Sequence, residues 1–188
     1  MARVIAGEAG GRRLAVPDGR GTRPTSDRAR EGLFATIVSL TGSLDGARVL
    51  DLYAGSGAVG LEALSRGAEH VLLVESGSRA ARVIRDNIEA IGLAGAEVLT
   101  DRTERVLAKN PDSGPYDVVF ADPPYALAGD EVSAMLNALV KQGWLAPGAL
   151  VIVERATRSG PVSWPAGLEP DRARRYGEAT FWYGRFSI

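Results

Sequence analysis

Between residues 48 and 154 the chain alternates short apolar, β-branched runs with longer stretches in which apolar residues recur at three- and four-residue spacing. The short runs predict strands over 48–52, 70–75, 97–100, 117–121 and 149–154, and the stretches between them predict helices over 59–66, 78–91, 103–108 and 130–142. Five strands separated by helices imply a parallel, doubly wound sheet covered on both faces. Ahead of this unit Leu33, Phe34, Ile37 and Val38 mark the apolar face of another helix, with Thr25 or Ser26 as its cap. Two β-prone runs around Gly7, Gly10 and Gly11 predict a small hairpin or extended arm over 3–16. Beyond residues 161–170, two further runs over 172–176 and 179–186, separated by Gly177, predict an antiparallel hairpin closing the sheet edge. The expected fold is α/β and Rossmann-like, a mostly parallel seven-stranded sheet with a closing antiparallel hairpin, divided into an arm (1–22) and a main domain (23–188).

Composition narrows the chemistry. The 188 residues include no cysteine and a single histidine, His70, which excludes disulfides, thiolate metal sites and a cysteine nucleophile and leaves no multi-histidine metal site. No apolar run approaches the roughly 20 residues that a bilayer requires, and MARVIAGEAGGRR lacks the apolar core of a secretory signal. The expectation is a cytoplasmic, non-membrane protein, monomeric and free of metal. Net charge is −1, but it is unevenly spread. Arg3, Arg12, Arg13, Arg20, Arg23, Arg28 and Arg30 face only Glu8, Asp18 and Asp27 in the first thirty residues, and the remainder is acidic. Of these, Arg3, Arg12, Arg13, Arg20, Arg23 and Arg30 are candidate nucleic-acid contacts, since guanidinium groups suit bidentate phosphate binding. Trp144, Trp164 and Trp182 are expected to pack in the core or at hinges rather than to stack on bases.

The strand over 48–52 runs into Tyr53-Ala54-Gly55-Ser56-Gly57 and a helix bearing Gly60, which satisfies the G-x-G-x-x-G pattern of a nucleotide-binding turn. Glu75, twenty residues beyond Gly55 and followed by Ser76, is placed to accept from ribose hydroxyls. A dinucleotide would suit these features, but Asp51 would repel its pyrophosphate. An acid there suits the cationic α-ammonium of S-adenosylmethionine, reached directly or through water. Asp101 or its neighbour stands at the end of the third strand, where an adenine amine would come. Asp51, Glu75 and Asp122 all fall at carboxyl ends of parallel strands, the edge at which open α/β sheets bind ligands.

Asp122-Pro123-Pro124-Tyr125 directly follows the apolar run Val118 to Ala121. Two prolines fix φ and donate no N–H, so their carbonyls are preset to accept. Asp122 and one of these carbonyls can take both protons of an exocyclic amine while Tyr125 stacks on its base, which points to amine methylation. Thr25, Asp27 and Arg28 could close over the methionine end or the target nucleotide, or simply cap and start the helix.

Together Arg23 to Glu31 (RPTSDRARE) with Leu33-Phe34, the Asp51 to Gly57 turn, Ser65-Arg66-Gly67-Ala68, Glu75, Asp-Pro-Pro-Tyr and Arg175-Tyr176-Gly177 resemble the RsmD family of 16S rRNA guanine-N(2) methyltransferases. The likeness implies a class I methyltransferase fold, S-adenosylmethionine as donor, and the exocyclic amine of guanine 966 in 16S rRNA of the small ribosomal subunit as acceptor. The family usually has Asn or Asp followed by Ala where this chain has Arg102-Thr103, which implies an adenine contact through the Arg102 N–H with Asp101 assisting. Three other readings compete. A DNA adenine methyltransferase shares the tetrad but would need a sequence-reading domain. A nicotinamide-dependent oxidoreductase leaves Asp51 and the tetrad without a role, and a non-catalytic RNA-binding protein leaves the acidic cleft without one.

Overall fold

The computed structural model describes residues 2–18 and 25–187. A two-residue antiparallel pair, β1 (Ala2–Arg3) with β2 (Arg13–Leu14), forms the N-terminal hairpin, and α1 (Asp27–Thr41) follows. The alternating unit comprises β3 (Arg48–Leu52), α2 (Ala58–Ser65), β4 (His70–Glu75), α3 (Ser78–Ile91), β5 (Ala96–Thr100), α4 (Thr103–Leu107), β6 (Tyr116–Ala121), α5 (Gly129–Lys141) and β7 (Leu145–Ala156). The last two strands are β8 (Leu168–Tyr176) and β9 (Ala179–Phe186). The seven strands are ordered β5-β4-β3-β6-β7-β9-β8, parallel from β5 to β7, with β9 antiparallel to both β7 and β8. The expected sheet and its closing hairpin are therefore present. From β3 the chain winds outward through β4 and β5, then returns to place β6 on the other side of β3. That reversal opens a crevice at the carboxyl ends of β3 and β6.

Two strands differ from their predicted extents by more than one residue, for reasons that lie in pairing. β7 begins at Leu145 rather than at residue 149, because Leu145 pairs with Tyr116 and the ladder then shifts register before Leu150 meets Val118, absorbing Pro147-Gly148. β8 begins at Leu168 and includes Pro170, beside a second register shift. Proline is tolerated there because β8 is the edge strand and loses no ladder bond on its outer side.

Apolar residues pack on both sheet faces. Val49, Phe120 and Ile152 meet Leu33, Phe34, Leu61 and Ile84 from α1 to α3. On the other face Leu50, Val119 and Val151 meet Val106, Leu136 and Leu139 from α4 and α5. Trp144 lies in this second core, stacked on Tyr116 and donating its Nε1–H to the Lys109 carbonyl.

Helix α2 is buried along its whole length, which an eight-residue helix against one sheet face would not be. The N-terminal hairpin covers its outer side. Ile5 and Ala6 N–H donate to the two Glu62 oxygens at 2.8 and 3.0 Å, Ala9 N–H donates to Ser65 Oγ, and Val4, Ala9 and Leu14 join the main core. Glu62 also meets Arg66 Nε at 2.8 Å and Arg30 Nε at 3.6 Å. Arg30 is fully buried, and its other nitrogens bond Asp27 and the Thr25 and Arg3 carbonyls. The expected arm is thus built into the domain surface, and the boundary expected at residues 22 and 23 lies outside the described residues.

Removing one partner of a buried, hydrogen-bonded charge cluster strands the others, typically at a cost of about 3–5 kcal/mol. Glu62→Ala is therefore expected to lower unfolding free energy by that order in urea titrations and to open the hairpin, residues 2–18, to protease. A loss under about 1 kcal/mol, the ordinary surface-pair value, would show that Glu62 does not hold the hairpin.

Candidate active site

β3 delivers Asp51 to the crevice and then turns sharply. Tyr53 adopts φ 58°, a left-handed conformation unusual for a bulky residue, and Gly55 and Gly57 follow at 60° and 82°. Gly60 admits no side chain for a different reason. A Cβ there would lie 2.7 Å from Leu73, 2.9 Å from Val71 and 3.1 Å from Asp51 Oδ2. That close approach lets the Gly60 N–H donate to Asp51 Oδ2 at 2.9 Å. Gly57 and Gly60 therefore shape the turn from behind and do not line the cavity. Glu75, at the end of β4, braces the same turn by accepting from Gly55 N–H at 2.8 Å and Gly77 N–H at 2.7 Å. Each oxygen retains a lone pair for a hydroxyl donor.

These residues line a cavity of about 430 Å³ that brings together Asp51, Tyr53, Ala54, Gly55, Ser56, Glu75, Ser76, Arg102, Thr103 and the tetrad Asp122-Pro123-Pro124-Tyr125. Thr25 reaches it from the start of α1, and Val16 and Pro17 reach it from the end of the hairpin. Tyr125 stands at the mouth, half exposed. The volume lies in the range of small-ligand clefts.

Several expected contacts stand elsewhere. Asp27 pairs with Arg3 and Arg30, and Arg28 is exposed outside the cavity lining, while Ser26 caps α1 by accepting from Ala29 N–H. Asp101 lies outside the lining as well, and its carboxylate accepts from the Arg102 N–H at 2.7 Å, so that N–H already has a partner. Within the tetrad the Pro124 carbonyl accepts from Leu127 N–H and from Arg155 Nη1. Pro123 is left as the carbonyl of the pair with no partner among the described residues. Of the arginines expected to meet RNA, Arg30 is buried and cannot do so from this fold. Arg12 Nη1 donates to the Ala90 and Ile91 carbonyls at the end of α3, Arg3 pairs with Asp27, and Arg13 is exposed. Arg20 and Arg23 lie outside the described residues.

Two buried residues near the end of β7 carry no sequence motif. Glu154 lines the cavity near the end of β7, 5% exposed, and accepts from the Thr25 hydroxyl at 3.1 Å. Arg155 is 7% exposed and donates to the Leu127 carbonyl at 2.8 Å, tying the loop after the tetrad to β7. The signal for Glu154 was its place at a strand's carboxyl end, the criterion that singled out Asp122.

Among the described residues the cavity lining holds more acids than cations, with Asp51, Glu75, Glu104, Asp122 and Glu154 against Arg102. Burial, opposed in part by the Gly60 hydrogen bond and reinforced by Glu75, raises the Asp51 pKa to about 8. Burial and the nearby Glu154 and Asp51 push Asp122 well above the usual carboxylate range, with Arg155 drawing it back. Burial also raises Glu154, against the Thr25 hydrogen bond. Such a site is matched to a ligand that brings cationic or N–H donor groups.

A family model described as "Conserved hypothetical protein 95" matches residues 2–185. Ribosomal RNA small subunit methyltransferase D of Escherichia coli K12 is 36% identical over 179 residues, spanning 95% of this chain and 87% of that protein. The Haemophilus influenzae protein of the same name is 37% identical over 155 residues, 81% of this chain and 77% of its own length. Among solved structures, the Escherichia coli protein yhhF superposes with a TM-score of 0.86 at 33% identity, covering 98% of this chain and 97% of that one. A methyltransferase from Geobacter sulfurreducens shares the fold at 15% identity, with a TM-score of 0.65 over 86% of this chain and 80% of its own. With nearly the whole chain matched, the protein belongs to the Conserved hypothetical protein 95 family, the RsmD family that its motifs resemble.

Proposed function

We propose that this chain transfers a methyl group from S-adenosylmethionine to the N2 amine of a guanine in small-subunit rRNA, guanine 966 by the family likeness. The observation that carries the reading is the placement of Asp122 and the Pro123 carbonyl, which has no partner among the described residues, on the same cavity as Asp51 and the Glu75-braced glycine turn. Asp51 is buried with Gly60 N–H as its hydrogen-bond donor, so a ligand's ammonium group fits a need that the protein leaves open. Glu75 would take the ribose hydroxyls, and Tyr53, Arg102 and Thr103 would border the nucleoside.

The donor supplies an electrophilic methyl group; the chain supplies position. Guanine's N2 lone pair is delocalised into the ring, which makes the amine a poor nucleophile. Asp122 and the Pro123 carbonyl would accept its two N–H groups, fix its direction and favour a more pyramidal nitrogen. Well-oriented reactants gain on the order of 7–11 kcal/mol from such positioning. The methylated amine is cationic and acidic, and its proton passes to the Asp122 carboxylate, whose raised proton affinity suits it as acceptor. Tyr125 at the mouth would stack on the extruded base, worth about 1–3 kcal/mol. Among the described residues no helix is long and apolar enough to cross a membrane.

Asp122→Ala is expected to cut methyl transfer to rRNA on the order of 10²–10³-fold, the usual scale for one lost transition-state contact, while leaving S-adenosylmethionine affinity within a few-fold. Calorimetric titration with the cofactor, paired with mass mapping of methylated guanines, reads both. A variant that methylates at the wild-type rate would remove Asp122 from the chemistry.

Asp51 gives a prediction with a definite sign. The folded chain holds the Asp51 proton more tightly than the unfolded chain does, so its contribution is most favourable below the ordinary carboxylate value of 3.8 and is withdrawn as pH rises to about 8. Asp51→Asn should therefore raise the melting temperature of the cofactor-free protein at pH 8–9 and weaken cofactor binding. Wild-type affinity for the cationic cofactor should also climb with pH through that window. A variant that loses no affinity would place the ammonium elsewhere.

Exposed Arg13 is a candidate phosphate contact, whereas Arg30 is structural. Arg13→Ala should reduce the log–log salt slope of RNA binding by roughly 0.7–0.9 at an unchanged melting temperature. An unchanged slope would assign Arg13 to solvent.

A further inference from the structure

The tetrad explains how an amine is held, but not which base carries it. Adenine N6, cytosine N4 and guanine N2 each offer two N–H groups to an acid and a carbonyl. They differ in the ring nitrogens beside the amine. Adenine and cytosine offer only an acceptor there, whereas guanine N2 stands between an acceptor, N3, and N1, which carries a proton and is a donor.

We propose that Glu154 reads this difference: its carboxylate accepts the guanine N1–H beside the amine held by Asp122 and Pro123, selecting guanine over adenine and cytosine. The inference rests on the methyl-transfer reading above. Its geometry comes from strand register. β6 and β7 run parallel, with Phe120 opposite Ile152 and Ala121 opposite Val153. One step further along both strands stand Asp122 and Glu154. Alternation of side chains puts both acids on the sheet face of Phe120 and Ile152, which is also the face of Asp51, since Asp51 pairs with Phe120. Adjacent strands lie about 4.8 Å apart, comparable to the width of a base edge. Glu154 is longer than Asp122 by one methylene and lines the same cavity.

The environment of Glu154 is that of a preset acceptor. Its side chain is 95% buried by the 5% exposure of the residue, the Thr25 hydroxyl holds Oε1, and Oε2 has no partner among the described residues. Arg155, the next residue, turns its guanidinium to the Pro124 and Leu127 carbonyls instead of bonding Glu154. A buried carboxylate with one oxygen fixed and the other open to a ligand cavity is satisfied by an N–H donor and opposed by an acceptor lone pair. Guanine supplies that donor, and adenine and cytosine present the lone pair.

The test uses the base analogue 2-aminopurine, which keeps the 2-amino group and lacks the N1 proton. Small subunits are reconstituted with rRNA carrying guanine or 2-aminopurine at the methylated position, and methyl transfer is measured with full-length wild type and Glu154→Gln. Wild type is expected to prefer guanine on the order of 10–100-fold, the worth of one good base-reading contact. Glu154→Gln should shrink that ratio to within about threefold or invert it, because the glutamine amide can donate to the bare N1. Its cofactor affinity should match wild type. A variant that loses activity equally on both bases, leaving the ratio unchanged, overturns the role of Glu154. So does a wild type that methylates 2-aminopurine as well as guanine, an outcome that needs no folded variant. Methyl groups mapped to an adenine or cytosine amine in wild-type product would instead overturn the methyl-acceptor reading, and this inference with it.

Discussion

Asp51, Glu75, Asp122 and Glu154 converge on one end of the sheet, while the Arg155 guanidinium, close enough to act on Asp122, is turned toward backbone carbonyls. Burying carboxylates without full neutralisation is costly, and the chain bears the cost as raised proton affinity at three of the four. A fold tolerates this only if the groups cannot relax away. Their anchorage explains much of the surrounding architecture. The acids sit at or just beyond the ends of central parallel strands, whose paired backbones are among the least adjustable parts of an α/β domain. The ligand then supplies the cation and donors that the protein withholds, and binding energy replaces internal neutralisation.

Glu62 shows the contrast. It is as deeply buried as any acid in the cleft, yet two backbone N–H groups and two arginines meet it. A saturated acid is structural; it fastens the hairpin, α1 and α2 into one unit. Glu154, with one oxygen held and one open, has capacity left over. The distinction lies in the count of donors rather than in burial, because both residues are inaccessible to bulk solvent. The hairpin serves both acids. It caps Glu62 on one side, and its far end brings Val16 and Pro17 to the cleft wall.

Much of this was legible in the sequence. The period-two and period-3.6 patterns located the strands and helices of the alternating unit, and Asp51, the glycine turn, Glu75 and the tetrad announced the cleft because each is a local motif with local chemistry. Non-local features were not legible. Seven arginines near the N-terminus read as an electrostatic arm, but composition cannot show that Arg30 turns inward to Glu62, a partner 32 positions away. β7 lengthened because Leu145 found Tyr116 across the sheet, which no property of Pro147-Gly148 announces. Asp27 and Arg28 lie in a family motif, yet the helical turn that starts at Ser26 directs them away from the cavity that Thr25 enters.

Glu154 escaped notice for a related reason, and that reason bears on how specificity is built. Its strand shows only an apolar run ending in an acid, a pattern equally suited to capping a turn. Its meaning appears once β7 is laid beside β6 and the acid comes level with the first residue of the tetrad. On the proposed reading, holding an amine and identifying its base fall to neighbouring strands. The tetrad can serve any exocyclic amine, since its acceptors engage only N–H groups common to three bases. Discrimination has to come from a group one base atom away, which in a parallel sheet means the next strand at the same register. A residue in that position can change without disturbing the Pro-Pro turn, so the fold permits the choice of base to vary while the means of holding the amine stays fixed.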